Sequence, residues 1–206
     1  EESAFLSLGD QSGIEKLVLE ESPSMRSRKV EGIKKLAGLL VKVEKPSEIE
    51  ALLARMEKIP QLYKGNKGYA FEVLSPEGDC ILIHAEDDIK DLKKVEEEVT
   101  FAKDEKLRYL TAFEISVEIN LPDKTSSLLD KEEIENRLAF NQSQGIDLLV
   151  ENNVTWDLSM LKFQVENLDL PVLRQRFEEV GYFIPKSEKF FLTKDTNNIE
   201  LWFEAV

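Results

Sequence analysis

One motif is used twice in this chain, and that repeat limits the fold more than any other feature. The first copy opens at Gly38-Leu39-Leu40-Val41-Lys42-Val43 and closes at Ser75-Pro76-Glu77-Gly78-Asp79-Cys80-Ile81-Leu82-Ile83. The second opens at Met160-Leu161-Lys162-Phe163-Gln164-Val165 and closes at Asp195-Thr196-Asn197-Asn198-Ile199-Glu200-Leu201. With Gly38 matched to Met160 and Leu82 to Glu200, the copies span 44 and 40 residues. Self-similarity at this period marks one supersecondary unit used several times.

The first copy reads as a strand at 36–43, a helix opening at Pro46-Ser47-Glu48, and strands at 61–64, 69–74 and 80–84. A proline and an acid suit a first helical turn, and Ile49, Leu52 and Leu53 share one side of that helix. The order is β-α-β-β-β. The second copy repeats it with a strand at 160–165, a helix at 171–180, and strands at 182–185, 189–193 and 199–204. Residues 4–8 and 14–20 read as a hairpin around a Gly/Asp turn at 9–13. It resembles the back end of a further unit whose opening strand and helix are absent, so the sequence begins inside a strand. Residues 21–34 are a polar connection. A strand at 113–121, stopped by Pro122-Asp123, opens another unit, with a helix candidate at 131–140 and a strand at 146–150. Residues 86–106 are highly charged, with Ile89, Leu92, Val95 and Val99 near helical spacing, which predicts an exposed amphipathic linker helix.

The expected fold class is α+β, built from paired βαβββ units in two domains, the first unit truncated at its N-terminus. The expected domains are residues 1–88 and 107–206, joined by the linker helix at 89–106. A length of 206 residues accommodates two domains of about 100 residues each.

Forty-one acidic against 27 basic residues give a net charge of −14. This argues against nucleic acid as a partner, since phosphate binding needs concentrated Lys and Arg. No apolar run reaches the length of a membrane span. A single cysteine rules out an intrachain disulfide and fits a reducing compartment. With no signal segment at the start, the expected location is cytoplasmic; a secreted or surface location stays open, because the chain starts inside a strand.

Paired βαβββ units with a turn like Ser75-Pro76-Glu77-Gly78-Asp79 before the last strand resemble the glyoxalase/bleomycin-resistance, or vicinal-oxygen-chelate, superfamily. A closer likeness rests on five stretches. They are Leu19-Glu20-Glu21-Ser22-Pro23-Ser24-Met25-Arg26, Gly68-Tyr69-Ala70-Phe71-Glu72, Ser75-Pro76-Glu77-Gly78-Asp79, His84-Ala85-Glu86-Asp87-Asp88 and Thr155-Trp156-Asp157-Leu158. These are similar to the CppA family of streptococci and relatives, which is labelled a virulence-associated proteinase degrading a complement glycoprotein. The superfamily resemblance implies sheets curled into cups. It puts cup-lining candidates at Gly38, Leu82, His84, Ser116, Met160 and Glu200.

The chemistry of those enzymes is poorly represented. Superfamily metal sites place His, Gln or Glu on the first strand of a unit and Glu on the last. Here those positions hold Gly38, Ser116, Met160, Leu82 and Glu200. Glycine, methionine and leucine offer no oxygen or nitrogen ligand, and Glu200 alone makes no site. No metal and no cofactor are therefore expected. Proteolysis fares no better. There is one histidine, His84, and neither His-Glu-x-x-His nor Gly-x-Ser-x-Gly. The only cysteine, Cys80, precedes His84 by four residues on one predicted strand, a separation of ~13 Å at ~3.3 Å per residue. That is beyond the reach a nucleophile and base need. A Ser-Lys or Asp-Asp arrangement stays open. The acids Glu86, Asp87 and Asp88 are expected to favour the protonated form of His84.

Arg26, Arg28 and Lys29, followed by Lys34 and Lys35, form a cationic stretch, read as an anion-binding loop or as a solvated connection. The expected function is binding of a small molecule or a protein partner. Behind it stands the proteinase of the family label, and behind that a metal-dependent lyase or dioxygenase.

Overall fold

The computed structural model describes residues 3–6, 17–20, 34–75, 78–102, 110–121, 126–129, 137–142 and 157–206. The expected hairpin forms. Strands β1 (Ser3–Leu6) and β2 (Leu17–Glu20) pair antiparallel, with Leu6 opposite Leu17. The turn at 9–13, the connection at 21–33, and with it Arg26, Arg28 and Lys29, lie outside the described residues.

The first complete repeat follows the expected order: β3 (Leu36–Val43), α1 (Pro46–Leu53), β4 (Gln61–Lys64), β5 (Tyr69–Leu74) and β6 (Cys80–His84). Two further strands come next, β7 (Lys93–Lys94) and β8 (Ala112–Leu121). The chain divides into two compact units, residues 1–26 with 37–118 and residues 27–36 with 119–206. In the first, six strands run in the order β7-β4-β5-β6-β3-β8. β3 and β6 are parallel, which requires a long crossover, and α1 lies in it.

Helix α1 begins at Pro46, whose missing N–H costs nothing in a first turn. Ile49 and Leu53 pack with Val43, Leu62, Phe71 and Ala85 as the buried core of this unit. Glu48, in the first turn, is also buried. Its carboxylate accepts hydrogen bonds from Thr111 N–H (2.6 Å) and Oγ1 (3.0 Å), offsetting the loss of water.

The predicted linker helix is not formed over the described residues 86–102. A 3₁₀ turn at Ile89–Asp91 is capped by the Asp88 side chain, which accepts from Lys90 N–H. β7 then pairs with the edge of β4, and Val95 N–H donates to Leu62 O at 3.0 Å. Val95, Val99 and Phe101 pack against the core of the unit. The unpaired edge of β4 offers backbone partners at once, whereas a helix here would have to gather Glu96, Glu97 and Glu98 in one turn. Residues 103–106 lie outside the described set.

The second unit contains β9 (Leu138–Gln142), β10 (Met160–Val165), α2 (Leu170–Arg176), β11 (Tyr182–Phe183), β12 (Phe190–Lys194) and β13 (Glu200–Ala205). The helix candidate at 131–140 is corrected at its end, since residues 138–140 are extended; 131–136 are outside the described set, as is the expected strand at 146–150. Leu138 and Phe140 stand two apart, a strand spacing, and an aromatic residue suits a strand. Four strands form the sheet β10-β13-β12-β11, again with a parallel first and last strand. Helix α2 is shorter than expected. Asp169 caps it by accepting from Val172 N–H at 3.1 Å, and the chain turns away at Gly181, whose φ of 80° is open to glycine. Leu161, Phe177, Phe191, Ile199 and Leu201 form the core of this unit. Within the same unit Asp157 accepts from the backbone N–H groups of Lys35 and Leu36, both at 3.0 Å.

The repeat extends to individual hydrogen bonds. Ser75 N–H donates to Asp79 O (2.9 Å) and Gly78 N–H to Ser75 O (2.9 Å), with Gly78 at φ 83°. Asp195 N–H donates to Ile199 O (2.8 Å) and Asn198 N–H to Asp195 O (2.9 Å), with Asn198 at φ 60°. Glycine in one copy and asparagine in the other are the two residues that enter this region most readily. The turns align Cys80 with Glu200. The pairing agrees, for Gly38 faces Cys80 and Met160 faces Glu200. The expected match of Leu82 with Glu200 is thus corrected: Leu82 lies opposite Leu40. A slip of two residues leaves every side chain on its original face, so hydrophobic patterning gives no warning of it.

Candidate functional site

The sheet of the first unit has two faces. Val43, Leu62, Phe71 and Ile83 point toward α1 and the core. Strand alternation sends their neighbours to the other side. There β3 presents Gly38, Leu40 and Lys42, and β6 presents Cys80, Leu82 and His84, in directly opposed pairs. Glu72 of β5 lies opposite Leu82, and Tyr63 of β4 lies opposite Ala70. From β8 come Glu114, Ser116 and Glu118. A methyl group added at Gly38 would stand 3.3 Å from Glu118 Oε2, so glycine leaves room for that carboxylate.

Four of the six cup-lining candidates, Gly38, Leu82, His84 and Ser116, therefore share one face. Met160 and Glu200 are paired in the second unit, where their face also carries Lys162, Trp202 and Phe190. Phe190 stacks on Trp202 at 4.1 Å, and Lys162 lies 5.5 Å from the same ring while pairing with Glu204 at 2.6 Å.

The polar face of the first unit is electrostatically uneven. Tyr63 Oη donates to Glu72 Oε2 at 3.2 Å, and burial followed by the charge of Glu72 raises its pKa. Cys80 is pushed up to about 11, first by burial and then by Glu72, with Glu118 adding to it. A thiol in that state is mostly protonated at neutral pH and a poor nucleophile.

His84 overturns an expectation. Its pKa is lowered below 6.5, chiefly by burial and next by Lys42, against the opposing pull of the Glu86 backbone, Glu114 and Glu86. The three acids that follow it are engaged elsewhere. Glu86 is buried and accepts from Lys67 N–H at 2.6 Å, and it crowds Gly65 so closely that a side chain there would have to push the Glu86 carboxylate aside. Asp87 accepts from Lys67 Nζ (2.7 Å) and Lys42 Nζ (2.9 Å), which hold its carboxyl down at about 2. Asp88 caps the 3₁₀ turn.

Sequence reasoning missed Tyr63, Glu72, Glu114 and Glu118. The alternation in Glu114-Ile115-Ser116-Val117-Glu118-Ile119 was a readable signal of a strand with one polar and one apolar face. Among the described residues, no three His, Cys, Asp or Glu side chains come together in a way that could hold a metal ion, and no helix is long and apolar enough to cross a membrane.

Fold and face together define a two-domain α+β protein built on repeated βαβββ units. Residues 1–95 match the family model for the CppA N-terminal region, and residues 110–203 match that for the CppA C-terminal region. The chain belongs to the CppA family. It is similar to the crystal structure of cppA protein from Streptococcus pneumoniae TIGR4, with 63% sequence identity and a TM-score of 0.88 over 100% of this chain and 87% of that one. No curated protein matches it.

Proposed function

We propose that this protein works by binding, and that it holds a small molecule on the polar sheet face of its first unit. The observation that carries this reading is the state of the two reactive side chains on that face. Cys80 is pushed up to about 11, and burial keeps His84 neutral. They stand at opposite ends of the five-residue strand β6, ~13 Å apart along it. A nucleophile held protonated and a base out of reach suit recognition better than cleavage. The repeated βαβββ units support the glyoxalase-like reading of this face as a cup wall. The donor set supports a metal-free one, since neither Gly38 with Cys80 nor Met160 with Glu200 supplies more than one ligand-type side chain.

The test compares the parent with Cys80→Ser and His84→Gln, each checked for folding by circular dichroism. Any cleavage of a protein substrate by the parent should stay within a few-fold in both variants. In parallel, native mass spectrometry of the parent equilibrated with a small-molecule extract should show a retained mass, diminished in Glu72→Gln. Loss of a true nucleophile or base costs several orders of magnitude. Such a loss in either folded variant would move the proteinase of the family label to first place.

A further inference from the structure

The second unit carries a sheet face that the binding reading leaves unused. Phe183, Leu192 and Trp202 stand in one line across β11, β12 and β13. Phe190 stacks on Trp202 with ring centroids 4.1 Å apart, and Phe183 continues the row 6.1 Å from Phe190. Phe183 is 56% exposed, so the row has an open end. The matching positions of the first copy hold Glu72 for Leu192 and Leu82 for Trp202, so the two faces differ in chemistry. The charges around the rings balance. Lys162 pairs with Glu204 at 2.6 Å, and Lys194 stands opposite Glu200. Two cations against two anions make this face neutral in a chain of net charge −14.

We propose that this strip binds an uncharged aromatic molecule of one or two rings, seated against Phe183, Phe190 and Trp202. The site is separate from the polar face of the first unit. Size decides between a small molecule and a protein. Two strand spacings make the strip about 10 Å wide, and two same-face positions make it about 7 Å deep. That area is far below the ~800 Å² each partner gives a stable protein interface. Chemistry decides the class. Flat rings gain from offset or edge-on contact with other rings beyond the area they bury. A charged ring would shed its water for a face whose charges already cancel. A sugar needs hydrogen-bond partners for its hydroxyls, and the middle of the strip is carbon.

The chain has two tryptophans, so it has two indole N–H resonances, and Trp156→Phe assigns the one from Trp202. That N–H is buried with no hydrogen-bond partner, so a ring settling nearby moves its signal. The isotope-labelled full chain is titrated at pH 7 with 2-naphthol, decahydro-2-naphthol, 2-naphthoate and methyl glucoside. Naphthol should shift the Trp202 signal to saturation. The saturated alcohol and the carboxylate should each bind at least about fivefold more weakly, and the glucoside should not saturate. Phe183→Ala should weaken naphthol about fivefold or more. Tyr182→Ala, which removes a ring packed on Phe191 at the other side of the same strand, should not. Both variants are checked for folding by circular dichroism. Equal binding of naphthol and its saturated analogue would overturn the aromatic class, and equal binding of naphthoate would overturn the neutral one. Saturation by the glucoside alone would make the strip a sugar platform. A Trp202 signal that moves on dilution without any probe would make its occupant a second copy of the chain. No saturable shift would overturn the site and leave the reading of the first unit standing.

Discussion

At the scale of single residues, His84 closes β6 almost wholly out of water, and burial lowers its pKa below 6.5. A histidine shifted this way takes up a proton more readily in the unfolded chain. Between the folded value and 6.5 the unfolded state carries more protons, so stability falls as pH drops through that window. Above 6.5 the ring is neutral in both states and contributes no slope. The melting temperature of the parent relative to His84→Gln should therefore be steady above about pH 7.5 and decline toward about pH 5. A difference that grows on acidification would mean the pKa is raised and the burial argument is wrong. The charge of His84 was not legible in the sequence, because adjacency to Glu86, Asp87 and Asp88 says nothing about where those carboxylates point. Backbone N–H groups and lysines far along the chain take Glu86 and Asp87 away from the ring.

At the scale of elements, the segment after β6 matters most. Phe101 meets Tyr69 edge-on with ring centroids 5.1 Å apart and packs on the core with Val95 and Val99. Removing a large aromatic from such a contact costs about 2–4 kcal/mol. Phe101→Ala should lower the free energy of unfolding in urea by that amount, and a loss under about 0.5 kcal/mol would reduce the segment to surface decoration. The strands of the first repeat were legible to the residue, since turns with glycine and proline bracket apolar runs of strand length. The helix expected over residues 86–106 is absent from the described part, 86–102. Apolar spacing near four also suits a chain laid irregularly along a sheet edge, and only the exposed edge of β4 decides between the two. The register of β6 against β3 was equally hidden, because sliding a strand by two residues preserves its pattern.

At the scale of the whole molecule, β8 lies beside β3, and the first compact unit runs to residue 118. A fragment ending at residue 106 would strip β3 of that neighbour and leave an open sheet edge, which invites aggregation. Fragment 1–118 should melt cooperatively, and fragment 1–106, which lacks a neighbour for β3, should melt lower. Equal behaviour of the two would place the border of the first domain before β8. In both repeats the last strand enters the middle of its sheet: β6 lies between β5 and β3, and β13 between β12 and β10. During synthesis, then, the first four elements of a repeat can only wait. Its sheet is two separate pieces until the final strand leaves the ribosome and threads between them, a long-range closure of the kind that makes folding slow. The strand that carries Cys80 and His84 is this closing strand, so the polar face exists only in a chain that has finished folding the unit.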